Sequence, residues 1–169
     1  MDFCIRRADK NDAPALAAIL TQSWKEAYAH ILPTAELDSA ADKERYTAVF
    51  TSMAQNRANT FLVAYCGGIP CGMLLFCPAR DEDLSDYAEI VALYTLQKYW
   101  GSGLGQALTE KALDEIQPQY AGAALWVLQE NARARRFYEK FGFAPDGKTK
   151  TENFSNKPHS VRYVKPLAR

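Results

Sequence analysis

Two short stretches of this chain carry residue types at spacings that could do chemistry. The first is Tyr99-Trp100-Gly101-Ser102-Gly103-Leu104-Gly105-Gln106. Glycines at alternate positions admit positive φ and let the backbone approach another molecule closely. The stretch follows a strand-like apolar run and opens a helix-like one. The unpaired N–H groups and positive dipole end of the new helix would then face whatever lies against the loop, an arrangement that binds phosphate. The second stretch is Asn131-Ala132-Arg133-Ala134-Arg135-Arg136-Phe137-Tyr138-Glu139-Lys140-Phe141-Gly142-Phe143. Asn131 is a good helix N-cap, and Tyr138 offers a hydroxyl that can give a proton.

A Gly-x-Gly-x-Gly loop alone admits several readings. It can be a tight strand-to-helix turn with no ligand. A Walker loop needs Lys followed by Ser or Thr at the helix start, where this chain has Gln106-Ala107. A dinucleotide fingerprint needs its third glycine one residue later and usually opens a longer series of strand–helix units than the remaining chain supplies. The pyrophosphate of coenzyme A is the third phosphate reading.

These stretches need elements to hold them. Phe3 to Ala8 reads as a strand, and Asp9 to Asp12 and Pro14 supply helix-start chemistry. Leu16, Ile19, Leu20, Trp24, Ala27 and Ile31 recur at helical spacing up to Pro33, and Tyr46, Val49, Phe50 and Met53 predict a second helix over Ala41 to Gln55. Thr60 to Tyr65 and Pro70 to Phe76 flank a Gly-Gly turn and predict an antiparallel hairpin. Ala88 to Leu96 is a strand leading into the glycine loop. Leu104, Leu108, Ala112 and Ile116 follow at intervals of four, with Pro118 as a stop. Ala123 to Gln129 is a buried strand, and Asn131 opens a helix with Ala134, Phe137 and Phe141 as its core stripe and Gly142 as its C-cap. Val161 to Val164 is a final strand, and Lys148 to Phe154 carries a weaker strand signal. The order β-α-α-β-β-β-α-β-α-β-β predicts a central mixed sheet covered on both faces, with a parallel crossover from Ala88 to Gln129. Met73, Leu75 and Leu125 read as core.

Composition bounds the rest. The 169 residues fit one domain, 1–169, and 48% hydrophobic content supports a sizeable core. Lys plus Arg is 20 and Asp plus Glu is 20, a balance that speaks against a general nucleic-acid binder. No apolar run is long enough to cross a bilayer, and Met1 to Arg7 lacks a signal-peptide layout, so the expected location is cytoplasmic with no membrane partner. Cys4, Cys66, Cys71 and Cys77 form no Cys-x-x-Cys pair, and His30 and His159 lie far from them, so no metal site is expected. Cys66 and Cys71 flank the hairpin turn, where they either face each other or are plain free thiols.

The run from Leu93 through Gly101-Ser102-Gly103-Leu104-Gly105-Gln106 to Leu108 resembles the acetyl-CoA motif of the GNAT superfamily of N-acetyltransferases. Asn131 through Tyr138 to Phe143 resembles its closing motif, and Ser23-Trp24-Lys25-Glu26-Ala27-Tyr28 before Ile31-Leu32-Pro33 is similar to its first-helix region. The element order fits along nearly the whole chain. The chain departs from the family at Trp100, where Arg or Gln is common, and at Gln97, where Pro is common. The resemblance implies an α/β mixed sheet, mostly antiparallel, with a parallel βαβ crossover and helices on both faces. It implies an acetyl-CoA-dependent N-acetyltransferase in which a small-molecule or peptide amine attacks directly. A non-catalytic acyl-CoA-binding module and another nucleotide-binding protein stand as alternatives, and there is room for a homodimer.

Site roles follow from the same resemblance. Main-chain groups of Leu93, Tyr94 and Thr95 would hold the pantetheine arm and polarise the thioester carbonyl, an effect of about 3–4 kcal/mol for such donors. Gly101, Ser102, Gly103, Leu104, Gly105 and Gln106 would hold the pyrophosphate, and Asn131 would also contact the coenzyme. Tyr138 would protonate the leaving thiolate. Glu89 is the candidate base, with Glu26, His30 or an ordered water as alternatives. Trp24, Tyr28 and Tyr94 would shape the acceptor pocket or simply pack. The loops Ile31 to Asp42 and Lys148 to His159 would select the acceptor.

Overall fold

The computed structural model describes residues 2–168; Met1 and Arg169, the ends of the expected domain 1–169, lie outside the described residues. Strand β1 (Phe3–Arg7) is followed by helices α1 (Ala13–Tyr28), α2 (Thr34–Ala40) and α3 (Lys43–Met53). Strands β2 (Thr60–Cys66), β3 (Ile69–Pro78) and β4 (Tyr87–Thr95) come next, then α4 (Leu104–Ile116), β5 (Gly122–Leu128), α5 (Ala132–Lys140), β6 (Ala144–Thr151) and β7 (His159–Pro166). The strands form a 7-stranded sheet in the order β1-β2-β3-β4-β5-β7-β6. Every neighbouring pair is antiparallel except β4 and β5, which are parallel across the α4 crossover. This is the mixed sheet expected from the sequence.

The sheet separates two cores. On one face Leu16, Ala17, Ile19 and Leu20 of α1 and Phe50 of α3 pack on Phe61, Val63, Met73 and Leu75. On the other, Leu104, Leu108, Ala112 and Ile116 of α4 meet Leu62, Leu74, Leu125 and Tyr163, with α5 alongside. The four-residue apolar spacing of α4 is buried in full, as an amphipathic helix on a sheet requires.

Several local expectations are corrected. The stretch Ile31 to Asp42 is not a plain loop, because α2 occupies Thr34–Ala40. The following helix begins at Lys43, not Ala41, because Asp42 caps it by accepting from the Arg45 N–H at 3.0 Å. Val49 is 36% exposed and leaves the predicted core face. Cys66 and Cys71 do not face each other: Cys66 opposes Ile69, and a bulge between Ala64 and Tyr65 leaves Cys71 out of register, its Sγ donating to the Ala64 carbonyl. Strand β6 begins at Ala144, ahead of the weak signal at Lys148 to Phe154. All its residues are exposed, so no alternation marked it.

One irregularity makes the site. The parallel pairing of β4 with β5 covers only Tyr87, Ala88 and Glu89 against Gly122, Ala123 and Ala124. A bulge against β3 between Leu75 and Phe76 bends β4 just beyond that point. The two strands part, and a cleft of ≈ 990 Å³ opens between them.

Candidate active site

The outer half of the cleft is built from main chain. Gly101 and Gly103 have φ of 76° and 87°, in the left-handed region, and a Cβ on either would meet no atom within 4 Å. Conformation, not crowding, demands glycine there. The amides of Gly101, Gly103, Leu104, Gly105 and Gln106 donate to no acceptor among the described residues, because the first α4 bond is from the Ala107 N–H to the Gly103 carbonyl at 3.0 Å. Open amides at a helix start that also lines the cleft are what a pyrophosphate needs, so these residues fit the coenzyme that the sequence implies. Ser102 is the exception: its hydroxyl turns back to the Tyr99 carbonyl at 2.6 Å, and it does not line the cleft.

The floor of the cleft is β4. The Leu96 N–H bonds the Cys71 carbonyl of the β3 edge at 3.0 Å. By antiparallel alternation, the main-chain groups of Leu93 and Thr95 point away from β3, toward the cleft, while those of Tyr94 point to β3. Tyr94 contributes its side chain instead, on the α1 face. Trp100 donates its indole N–H to the Thr95 carbonyl at 3.0 Å, and its ring lies 3.5 Å from the Arg133 guanidinium. The Gln97 N–H, which a proline could not offer, donates to Glu26 Oε2 at 2.7 Å and ties α1 to the loop.

Asn131 accepts from the Ala134 N–H at 3.1 Å and so caps α5. Tyr138 is not off the buried stripe, as its spacing suggested: it is 9% exposed and packs on Phe137 and Phe143, while Phe137 and Phe141 are half-buried in the cleft wall. Its hydroxyl has no hydrogen-bond partner among the described residues, and the residue lines the cleft. Burial pushes the Tyr138 hydroxyl well above the usual tyrosine range, so it stays protonated.

The inner half is built from side chains of four regions: Ser23, Trp24 and Tyr28 of α1, Glu89 and Tyr94 of β4, Trp126 of β5, and Glu152, Phe154 and Ser160 from β6–β7 and its loop. The Tyr28 and Tyr94 hydroxyls are 3.2 Å apart, and burial raises both pKa values. Ser23 Oγ and Trp24 Nε1 are buried with no hydrogen-bond partner among the described residues. Glu89 has both oxygens on Arg80, at 2.9 Å from Nε and 2.6 Å from Nη2. Glu152 accepts from the Ser160 hydroxyl at 2.6 Å through Oε1 and leaves Oε2 free of partners among the described residues. Neither Glu26 nor His30 lines the cleft. The two expected acceptor loops meet: Ser155 bonds Glu36, and Asn156 donates to the Ile31 carbonyl at 2.8 Å.

The sequence reading missed Glu152, which follows an irregular exposed strand with no pattern to mark it. It also missed Arg133, Arg136 and Lys140 of α5, all lining the cleft. Their three- and four-residue spacing placed them on one helix face and was visible in the sequence.

Comparison with known proteins agrees with this geometry. Residues 17–143 match the model of the acetyltransferase (GNAT) family. A probable N-acetyltransferase of Mycobacterium tuberculosis is 32% identical over 148 residues, covering 87% of this chain and 83% of that protein. A protein named as an N-acetyltransferase in Archaeoglobus fulgidus is 30% identical over 140 residues, covering 79% of this chain and 88% of its own length. Among solved structures, an N-acetyltransferase from Staphylococcus aureus superposes with a TM-score of 0.79 at 20% identity, covering 99% of this chain and 100% of that one. The PaiA N-acetyltransferase of Thermoplasma acidophilum, solved with coenzyme A, superposes with a TM-score of 0.74 at 22% identity over 96% of this chain and 98% of that one.

Proposed function

Because the chain belongs to the GNAT acetyltransferase family, we propose that it is a single-domain, cytoplasmic acetyl-CoA-dependent N-acetyltransferase acting on a small-molecule or peptide amine by direct attack. The observation that carries this reading is that the open amides of Gly101, Gly103, Leu104, Gly105 and Gln106 line one continuous cleft with Tyr138, whose hydroxyl has no partner among the described residues.

When bound, acetyl-CoA supplies an activated acyl carbon and a thiolate leaving group. The amides of Gly101, Gly103, Leu104, Gly105 and Gln106, with Asn131 beside them, would bind the pyrophosphate; Ser102 instead braces the loop, its N–H and its hydroxyl both donating to the Tyr99 carbonyl. The cleft-facing N–H groups of Leu93 and Thr95 would orient and polarise the thioester carbonyl, and the Tyr94 side chain would extend the contact into the acceptor half. Tyr138 Oη holds the proton that the departing sulfur takes. The acceptor ammonium must lose a proton, and Glu89 and Glu152 are the carboxylates of the inner cleft that could take it, directly or through water. Glu89 takes it only when Arg80 releases an oxygen, whereas Glu152 already has one free.

Direct attack is supported by the thiols. None of the cysteines lines the cleft, and burial pushes Cys71 up to about 11 and raises Cys77 as well, so these are poor nucleophiles.

The test has two arms. Acetyl-CoA at about 100 times its dissociation constant should stabilise the fold by roughly 2.7 kcal/mol in thermal melts. Thiol release with a panel of amino acids, polyamines, aminoglycosides and N-terminal peptides should then show turnover with at least one class. No melting shift at millimolar ligand rejects the coenzyme site; a shift without thiol release leaves a binding module.

A further inference from the structure

The glycine loop supplies amides but no cation to the cleft. Lys98, the basic residue beside it, has its ammonium over the Tyr99 ring at 4.9 Å and does not line the cleft. A helix start offers only about half a positive charge, whereas a coenzyme carrying a pyrophosphate and a 3′-phosphate brings several negative ones. Charge must come from elsewhere or the phosphates stay under-neutralised.

The opposite wall supplies it. Arg133, Arg136 and Lys140 sit on one face of α5, and all line the cleft. None forms a salt bridge among the described residues. The other arginine of the helix, Arg135, is turned away onto the Tyr163 hydroxyl and the Gln129 carbonyl. Glu110, the acidic residue on the α4 side, is held by Gln106 at 2.8 Å. Arg133 has a defined seat: its guanidinium lies 3.5 Å from the centre of the Trp100 ring, which is itself fixed by the bond to the Thr95 carbonyl. The seat spans the gap between the strands, since Trp100 follows β4 and Arg133 follows β5. Arg133 stays exposed, but partial desolvation against its neighbours lowers its pKa from the ordinary value with no anion to offset it.

We propose that this α5 face is the phosphate-neutralising wall of the coenzyme site, with Arg133, stacked flat on Trp100, as its principal ligand to a coenzyme phosphate. The inference rests on the coenzyme reading above. A guanidinium held flat presents its edge N–H groups to a phosphate as a preorganised fork. Trp100 then orients the cation that the loop itself lacks, and the three unpaired positive charges relieve their mutual repulsion by binding the anion.

Calorimetric titration of CoA and of dephospho-CoA into the wild type, Arg133→Gln, Arg136→Gln and Trp100→Leu tests this. Arg133→Gln should weaken CoA by about tenfold or more, as expected for losing a charge-assisted hydrogen bond. Trp100→Leu should weaken it less, because the cation remains but loses its seat. Added salt should weaken CoA binding to the wild type more than to Arg133→Gln. If the Arg133→Gln loss disappears with dephospho-CoA, the partner is the 3′-phosphate; if it persists, the partner is the pyrophosphate. A CoA dissociation constant for Arg133→Gln within twofold of wild type, with an unchanged salt response and an unchanged melting temperature, overturns the proposal. A wild type that binds no CoA at all rejects the coenzyme reading itself, a different result from equal binding by both proteins.

Discussion

The two halves of the cleft are made of different material. Apart from the cationic α5 wall, the outer half is main chain: loop amides, two positive-φ glycines and the free edge of β4 beyond its pairing with β5. The inner half is side chain, drawn from α1, β4, β5 and the loop between β6 and β7. Main-chain groups are the same in every sequence, so the outer half can keep one ligand while much of its sequence drifts. The inner half changes with each substitution. A fold built this way separates what it always binds from what it selects.

The sharpest test of that separation is Tyr138→Phe, at the junction. The ring and its packing on Phe143 survive and only the hydroxyl goes. At saturating acetyl-CoA, turnover should fall on the order of 10²-fold or more, with little change in acetyl-CoA affinity. A turnover number within about twofold of wild type would pass the proton to water and make Tyr138 a packing residue. Next is Glu152→Gln against Glu89→Gln. Loss of a base that holds a free oxygen should lower turnover by roughly tenfold to a hundredfold, and the Arg80-bound carboxylate should matter less. Titration should show unchanged CoA binding in both variants; if either loses it, the halves are not independent.

The reverse experiment is Gly103→Val. No atom obstructs the new side chain, but φ of 87° is costly for a β-branched residue, about 1–3 kcal/mol. Coenzyme affinity should fall by about tenfold or more while the circular dichroism of the fold is retained. Unchanged affinity in calorimetry would leave Gly103 as a turn residue only.

The smallest effect is expected far from both ligands. Asp12 accepts from Arg6 at 2.7 and 2.8 Å, from the Tyr65 hydroxyl at 2.8 Å and from the Asp9 N–H at 2.9 Å, and so anchors the start of α1. The Arg6 hydrogen bonds, ahead of the others, hold its carboxyl down at about 2 against an ordinary 3.8. A carboxyl depressed on folding stabilises fully above its unfolded value, so this contribution is present at neutral pH and is lost as pH falls from near 4 toward 2. Asp12→Asn should cost about 1–2 kcal/mol at pH 7, given that Arg6 is partly exposed, and much less at pH 2, where about half of the Asp12 carboxyl is protonated in the folded protein. Urea midpoints at the two pH values check this, and CoA affinity at pH 7 should not move.

What was legible in the sequence follows the same division. The glycine loop, the α4 stripe and the parallel crossover could be read because glycine spacing and four-residue periodicity are local signals. Tyr138 was found, but its burial was misjudged: the stripe was assigned to Phe137 and Phe141, and only the tertiary packing of Phe143 shows which residue faces inward. Glu89 was visible on a strand, while its engagement by Arg80 depends on a loop returning beside it. Glu152 had no local mark at all. It reaches the cleft because the β6–β7 loop folds back onto Ile31 and Glu36, a contact more than a hundred residues apart in the chain.

The brief pairing of β4 with β5 has a further consequence in amide exchange. A strand inside a seven-stranded sheet normally protects its amides on both sides. Beyond Glu89, the cleft-facing amides of Leu93 and Thr95 have no partner strand and should exchange like those of an outer edge, while their neighbours bonded to β3 exchange slowly. Adding CoA should slow those two and leave the rest of β4 unchanged, so deuterium uptake along this one strand would report occupancy of the cleft residue by residue, without any acceptor being known.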